Sequence, residues 1–293
     1  MPRPPVSTVA DQVFYSTVRI ETEVPGGTST GTGFLVLYDY GDGSSYPVLV
    51  TNKHVLAGAT EARFTLPRLA DGTTLADGVP MNAGTQTIVR GFGTNSWVGH
   101  PRADVDVAAM MFGPILHNMT ERGAPAFYRG FGADLLLTEV QSEALDSIED
   151  VTFVGYPSGL YDTDSMLPIA RRGQTATPVF NNYQGKPAFL IDASVFPGSS
   201  GSPVLILNRG SYTTREGATV IGSRLHVAGV VASVHTRQVH GEIILTAAGI
   251  ASFDDMIDLG IVFKASAIQQ CVDALFQSAG VQPVATPAPS ELA

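Results

Sequence analysis

A hydroxyl held in a glycine-rich turn is the first group in this chain that could do chemistry. Residues Phe196 to Val204 read FPGSSGSPV. A flexible linker has the same composition, but the flanks here are apolar. Ala188-Phe189-Leu190-Ile191 precedes the turn and Val204-Leu205-Ile206-Leu207 follows it, as in a buried strand–loop–strand. Gly198 and Gly201 allow backbone angles that a side chain would forbid. Consecutive N–H groups can then converge beside the hydroxyl of Ser200. A hydroxyl nucleophile flanked by such donors is what acyl transfer requires. It also requires a base, and an acid to orient that base.

His54 and Asp106 are the candidates. His54 follows the apolar run Val48-Leu49-Val50 and the polar step Thr51-Asn52-Lys53, so a strand delivers it at its exit. A structural histidine could stand in the same place. Asp106 opens the run Val107-Ala108-Ala109-Met110-Met111-Phe112. An acid at the mouth of a buried strand either caps a loop or pairs in the interior. Asp106 lies closer to the apolar run than Asp104 and is expected to be the buried, paired one.

The elements that must position these groups read as strands. Val13–Ile20 is expected as the first, followed by a loop through Gly26-Gly27 and Thr28–Thr32, then a strand over Gly33–Tyr38. Gly41-Asp42-Gly43 reads as a hairpin turn. Residues 60–100 read as strands with long loops at 70–78 and 91–99, and residues 113–147 as a connection. Further strands are expected over 151–157, 167–174, 188–195, 226–235 and 259–264, with an unassigned stretch from Thr236 to the last of them. Ser266 is expected to cap a helix whose Ile268, Cys271, Val272, Leu275 and Phe276 recur at helical spacing. Residues 281–293 have the Pro/Ala/Ser composition of a disordered tail.

Composition narrows the function. With 293 residues the chain can bury one large core or two smaller ones, and 31 Gly and 19 Pro between short apolar runs suggest an all-β architecture. The balance of 17 basic against 27 acidic residues, net −10, disfavours a nucleic-acid or anionic-membrane surface. No apolar run reaches membrane-spanning length, and no signal sequence opens the chain, so a cytoplasmic location is expected. The single cysteine, Cys271, leaves no disulfide framework and no thiol cluster for zinc. His100 and His117 are expected in or near loops without matched partners, His226 and His240 flank a strand and a loop, and Asp254-Asp255 reads as a solvated loop, so no metal or other cofactor is expected.

The order His54, Asp106, Ser200 resembles that of the chymotrypsin-fold serine peptidases, nearest the bacterial branch that includes the Htr-type proteases. Four motifs carry the resemblance: Gly31-Thr32-Gly33-Phe34-Leu35-Val36, Leu49-Val50-Thr51-Asn52-Lys53-His54-Val55, Asp106-Val107-Ala108-Ala109-Met110, and Ile191-Asp192-Ala193 with Pro197–Val204. They depart from the family where Ser202 replaces a glycine and Lys53 an alanine of the animal enzymes. No PDZ-like domain follows, so the substrate tethering of typical Htr proteins is expected to be missing.

The resemblance implies two packed six-stranded antiparallel β-barrels with a C-terminal helix in a peptidase domain over residues 1–276. The first barrel would span 12–112, the connection 113–147, and the second barrel with its helix 148–276. His54 would act as general base and acid, Asp106 would hold its tautomer, and the N–H groups of Gly198 and Ser200 would form the oxyanion hole. Strand Ala232–His235 would pair with substrate, with Ser194, Ser233 and His235 in the pocket for the residue before the scissile bond. That pocket has no deep aspartate. Val195 stands where glutamyl endopeptidases place a hydroxyl, although His235 resembles their acid-reading histidine. Apolar preference is therefore expected first and acidic second. Ser199 stands where trypsin-like zymogens need an aspartate, so activation by an inward-folded N-terminus is not expected. The implied partners are a protein or peptide substrate and, where activation needs one, a protein regulator. The competing reading is a catalytically idle peptidase fold that serves as a binding module. An α/β-hydrolase would run Ser, Asp, His and alternate strands with helices, which this chain does not.

Overall fold

The computed structural model describes residues 5–41, 44–243 and 249–282, and between 233 and 257 it describes the backbone alone. The first element is a helix, α1 (Val9–Phe14). The Thr8 hydroxyl accepts from the Asp11 N–H and the Asp11 carboxylate accepts from the Thr8 N–H, each at 3.1 Å. This reciprocal cap winds Val13 and Phe14 into the helix, so the strand expected from Val13 begins only at Thr17.

β1 (Thr17–Val24) turns directly into β2 (Gly27–Asp39). Thr28–Thr32, expected as a loop, is strand. Gly26 at φ 101° closes a two-residue turn, and the pairing runs from Val24↔Gly27 to Thr17↔Phe34. β3 (Ser45–Thr51), α2 (Lys53–Leu56), β4 (Glu61–Leu69), β5 (Pro80–Arg90), β6 (Val98–Gly99), β7 (Ala108–Met111), α3 (Gly113–Glu121) and β8 (Phe131–Gly132) follow. The strands form one eight-stranded sheet, ordered β5-β4-β1-β2-β3-β7-β6 with β8 parallel to β2.

The first half is thus a curled sheet of eight strands where a six-stranded barrel was expected. The edge of β5 is bound to α3 and the loop after it. Thr87 Oγ1 donates to Asn118 Oδ1 (3.2 Å) and Thr85 Oγ1 to the Ala124 carbonyl (2.7 Å). Ile115, Leu116 and Met119 of α3 bury in the core with Leu35, Leu49 and Phe64. The other face of the same strands carries Phe34, Val36, Val48, Val50 and Ala109 into a second core. Period-two alternation thus explains the continuous apolar runs: both faces of the sheet are buried.

The second half contains α4 (Glu139–Glu143), β9 (Asp150–Gly155), β10 (Ile169–Thr175), β11 (Ala188–Asp192), β12 (Pro203–Asn208), the hairpin β13 (Ser211–Thr213) and β14 (Thr219–Ile221), β15 (Arg224–Ile243) and β16 (Gly249–Lys264). Six of these close a barrel in the order β10-β11-β16-β15-β12-β9. β15 and β16 run well beyond the strands expected at 226–235 and 259–264, since they pair as far as Ile243↔Gly249. The last helix, α5 (Ala265–Ala279), starts directly after β16 with Lys264 at its N-cap, so Ser266 falls inside the first turn and is not the cap. Its buried residues include Ile268, Cys271, Val272, Leu275 and Phe276, and it stops at Gly280 in the left-handed conformation. α5 docks on the first half. The Cys271 thiol donates to the Val98 and Val107 carbonyls (3.4 and 3.6 Å), and Phe276 meets Tyr38 edge to face. The all-β class with a C-terminal helix holds.

Candidate active site

Three segments meet at the site: the exit of β3 with α2, the loop 100–106 ahead of β7, and the turn 196–202 ahead of β12. In the first, Asn52 is fully buried and its Nδ2 donates to the Asp106 carbonyl at 2.6 Å. Lys53 Nζ donates to the Arg102 carbonyl at 2.8 Å. Arg102 in turn holds Asp104 through two bonds of 3.1 and 2.9 Å. The acidic loop is thereby stapled to the start of α2. Asp104 is spent on its own arginine at the surface.

Asp106 is left for His54. One carboxylate oxygen accepts from the His54 backbone N–H (3.1 Å), and the other lies 2.5 Å from ring Nδ1. With the proton on Nδ1 facing the carboxylate, Nε2 is the basic nitrogen. The expectation that Asp106 rather than Asp104 is the paired acid holds. Its side chain is 30% exposed, so it is half-buried rather than buried, because the His54 ring beside it is itself open at 49%.

In the turn, the Phe196 carbonyl accepts from Ser199 N–H (2.9 Å) around Gly198 at φ 85°. A Cβ on Gly198 would lie 2.5 Å from the Tyr156 carbonyl oxygen, and one on Gly201, at φ 87°, would collide with that of Thr32. Only glycine fits either place. Three more carbonyls of the turn are tied down: Pro197 accepts from Ser158 N–H (2.5 Å), Ser199 from Ser202 N–H (3.0 Å) and Ser200 from Thr32 N–H (2.9 Å). The N–H groups of Gly198 and Ser200 have no acceptor among the described residues. Two unengaged donors beside a hydroxyl can receive a developing oxyanion.

The Ser200 hydroxyl donates to the Ala232 carbonyl at 3.1 Å. Val231 pairs with Val262 and Ser233 with Ile261, so Ala232 is a one-residue bulge, and bulges re-aim groups next to sites in this way. Asp106 and Ala232 line one pocket of about 200 Å³. The serine turn also packs against the exit of β3, since a Cβ on Gly201 would lie 2.5 Å from Thr51 Oγ1, three residues before His54; His54 and Ser200 are not hydrogen-bonded to each other.

Thr32 is the residue that sequence reasoning passed over. Fully buried, it donates through Oγ1 to the Gly198 carbonyl (2.8 Å) and accepts there from Tyr156 N–H (3.1 Å). Its N–H holds the Ser200 carbonyl, and its own carbonyl accepts from Thr51 Oγ1 at 2.6 Å. One threonine of the first sheet thus fixes both ends of the serine turn. The available signal was a hydroxyl residue in the segment Gly31–Val36, which is otherwise glycine and apolar.

Of the other expected site residues, Ser194 is half-buried, and the side chains of Ser233 and His235 lie outside the described residues, as do those of Asp254, Asp255 and His240. His100, expected without partners, has two. It is 4% exposed, its Nδ1 accepts from Arg102 N–H (3.1 Å), and Nε2 meets Gln270 Oε1 on α5 (3.0 Å). Among the described residues no three His, Cys, Asp or Glu side chains come together as a metal site would need. Burial pushes the Cys271 thiol up to about 12, so it is no nucleophile. No helix among the described residues is long and apolar enough to cross a membrane.

No curated protein matches the chain. Among solved structures, a serine endoprotease from Yersinia pestis is similar over 94% of this chain and 69% of that one, at 14% identity and a TM-score of 0.45. The thermostable serine protease AL20 from an extremophilic microorganism is similar over 89% and 97%, at 14% identity and a TM-score of 0.46. The scabies mite inactivated protease paralogue S-I1 is similar over 94% and 99%, at 12% identity and a TM-score of 0.45. Residues 31–211, which include His54, Asp106 and Ser200, match the trypsin-like peptidase domain, and the chain belongs to that family.

Proposed function

We propose that this protein is a serine endopeptidase in which His54, Asp106 and Ser200 cut peptide bonds through an acyl-enzyme. The observation that carries the reading is the pairing of both Asp106 oxygens with His54, beside a serine turn that packs against the exit of β3 and keeps two unengaged N–H groups. Rotation of the Ser200 side chain away from the Ala232 carbonyl would free its proton for His54 Nε2. The alkoxide would attack the scissile carbonyl, and the N–H groups of Gly198 and Ser200 would hold the resulting oxyanion. His54 would return the proton to the leaving amine, and water would release the acyl group by the same steps. Asp106 would stabilise the imidazolium without taking its proton.

A preference for small or medium apolar residues before the scissile bond is proposed from the sequence, where no deep aspartate stands and Val195 replaces the hydroxyl of an acid-reading pocket. The four motifs support a place near the Htr-type branch. A cytoplasmic setting is proposed on the cysteine count alone. The idle-module reading has one observation in its favour, the Ser200–Ala232 bond. Reaction with a fluorophosphonate decides between them: covalent labelling that disappears in Ser200→Ala supports the peptidase, and absence of labelling at any pH from about 6 to 9 refutes it. Mapping of new N-termini in a treated lysate would then define the substrates.

A further inference from the structure

A free strand edge leads away from the nucleophile. β12 pairs with β15 from Asn208↔Arg224 to Pro203↔Val230. The lane closes with two more bonds, Val231 N–H to the Ser202 carbonyl (3.0 Å) and Gly201 N–H to the Val231 carbonyl (2.8 Å). There the chain turns off through Ser200. β15 continues as strand to Ile243 with β16 on its other edge. On the side that β12 has left, Ser233–Ile243 have no strand partner among the described residues. The ribbon is irregular after Val234, where residues 257–259 of β16 face His235 alone. Asp258, at φ 57°, lies in that bulge. The surplus chain is in β16, so the outer edge of β15 stays extended past it.

We propose that this edge is an elongated binding site for the substrate chain, reaching beyond the residues 232–235 expected to touch it. The site takes a run of extended polypeptide on the N-terminal side of the bond to be cut, as an added antiparallel strand. The direction follows from β12, whose vacated lane the substrate would occupy. A chain laid antiparallel to β15 along this edge brings its C-terminal end to Ser200. Eleven residues, Ser233–Ile243, at about 3.3 Å each present roughly 35 Å of unpaired backbone. The substrate class this favours is unfolded polypeptide with a long extended stretch free of proline, rather than short peptides or tight surface loops.

The proposal rests on Ser200 as nucleophile, and the test separates the two. Peptides that share one cleaved core sequence are lengthened N-terminally from about three to about ten residues. Two or three added backbone bonds should lower KM by about ten-fold or more while kcat changes little. N-methylation of single amides beyond the fourth residue should raise KM with a two-residue period, because alternate amides face the edge. A variant with residues 237–255 replaced by a Gly-Ser turn should cut the shortest peptide as the parent does and lose the gain with length. If that variant does not fold, the N-methyl series on the full protein decides alone. A KM independent of length, or an N-methyl effect without a period, overturns the proposal while fluorophosphonate labelling still upholds the nucleophile. No labelling and no cleavage of any peptide removes both.

Discussion

His54, Asp106 and Ser200 act as a unit in the proposed mechanism, so their substitutions should not add. Ser200→Ala and His54→Ala are each expected to lower turnover by roughly a million-fold, and the double variant by little more. Asp106→Asn should cost about four decades, because an amide facing Nδ1 favours the wrong tautomer. Steady-state kinetics on one peptide substrate checks all of these. A harmless Asp106→Asn beside a crippling Asp104→Asn would show that the acid is misassigned. Thr32 acts at one remove, as a positioning residue. Thr32→Val keeps the shape but strands the Gly198 carbonyl and Tyr156 N–H, whose bonds to Oγ1 are 2.8 and 3.1 Å. A buried polar group left unpaired costs about 1–3 kcal/mol. We expect kcat to fall roughly ten- to hundred-fold with KM little changed, and Thr32→Ser to recover most of it. A Thr32→Val variant that loses only thermal stability would make Thr32 a packing residue.

At the scale of elements, β15 and the loop before β7 hold two histidines that resist protonation. His226 on β15 has a buried Nδ1 without a partner among the described residues, and burial first, then Arg224, hold its pKa below the ordinary 6.5. Burial also lowers that of His100, whose Nδ1 already accepts from Arg102 N–H. The unfolded chain takes up these protons near pH 6.5, whereas the folded protein does so only further down. Stability from this source is therefore complete above about pH 6.5 and drains away as pH falls from there through the lowered folded values. Thermal unfolding should show Tm falling between about pH 6.5 and 5, ahead of the carboxylates. His226→Gln should flatten that fall. A parent Tm that is level across this window would contradict the assignment.

At the scale of the molecule, the N-terminal segment and the serine turn are held by different parts of the chain. Val6 is buried with Tyr15, Leu69 and Phe127, and its N–H donates to the Gly78 carbonyl at 3.0 Å. Met1 and its neighbours, expected at the surface, lie outside the described residues. Ser199, before the nucleophile, is 1% exposed and its hydroxyl has no partner among the described residues. An ammonium buried there would lack a carboxylate and cost several kcal/mol. Thr32 and Ser158 order the turn instead. The chain should accordingly label with a fluorophosphonate without loss of N-terminal residues, as intact mass would show. Labelling only after an N-terminal peptide is removed would sink this expectation.

Local chemistry was legible because it is local. Gly198 and Gly201 stand at positive φ in a turn that apolar runs pinch, and that pattern is complete within ten residues or so. The helical spacing of Ile268 to Phe276 is equally self-contained. By itself the sequence determined the all-β class and the exit of a strand at His54, and it pointed to Asp106 rather than Asp104 as the carboxylate that the structure sets beside His54. It misread the ends of elements. The Thr8–Asp11 cap outweighed the strand character of Val13, and a two-residue turn at Gly26 drew Thr28–Thr32 into pairing. What only the tertiary structure decided are the contacts between residues far apart in the chain. Thr32 meets the Gly198 carbonyl across 166 positions, His100 meets Gln270 across 170, and α3 rather than another strand lines the edge of β5. No local periodicity encodes such pairs. They arise because each buried donor and acceptor must find a partner once the sheets have closed, and which partner is in reach depends on how the whole chain packs.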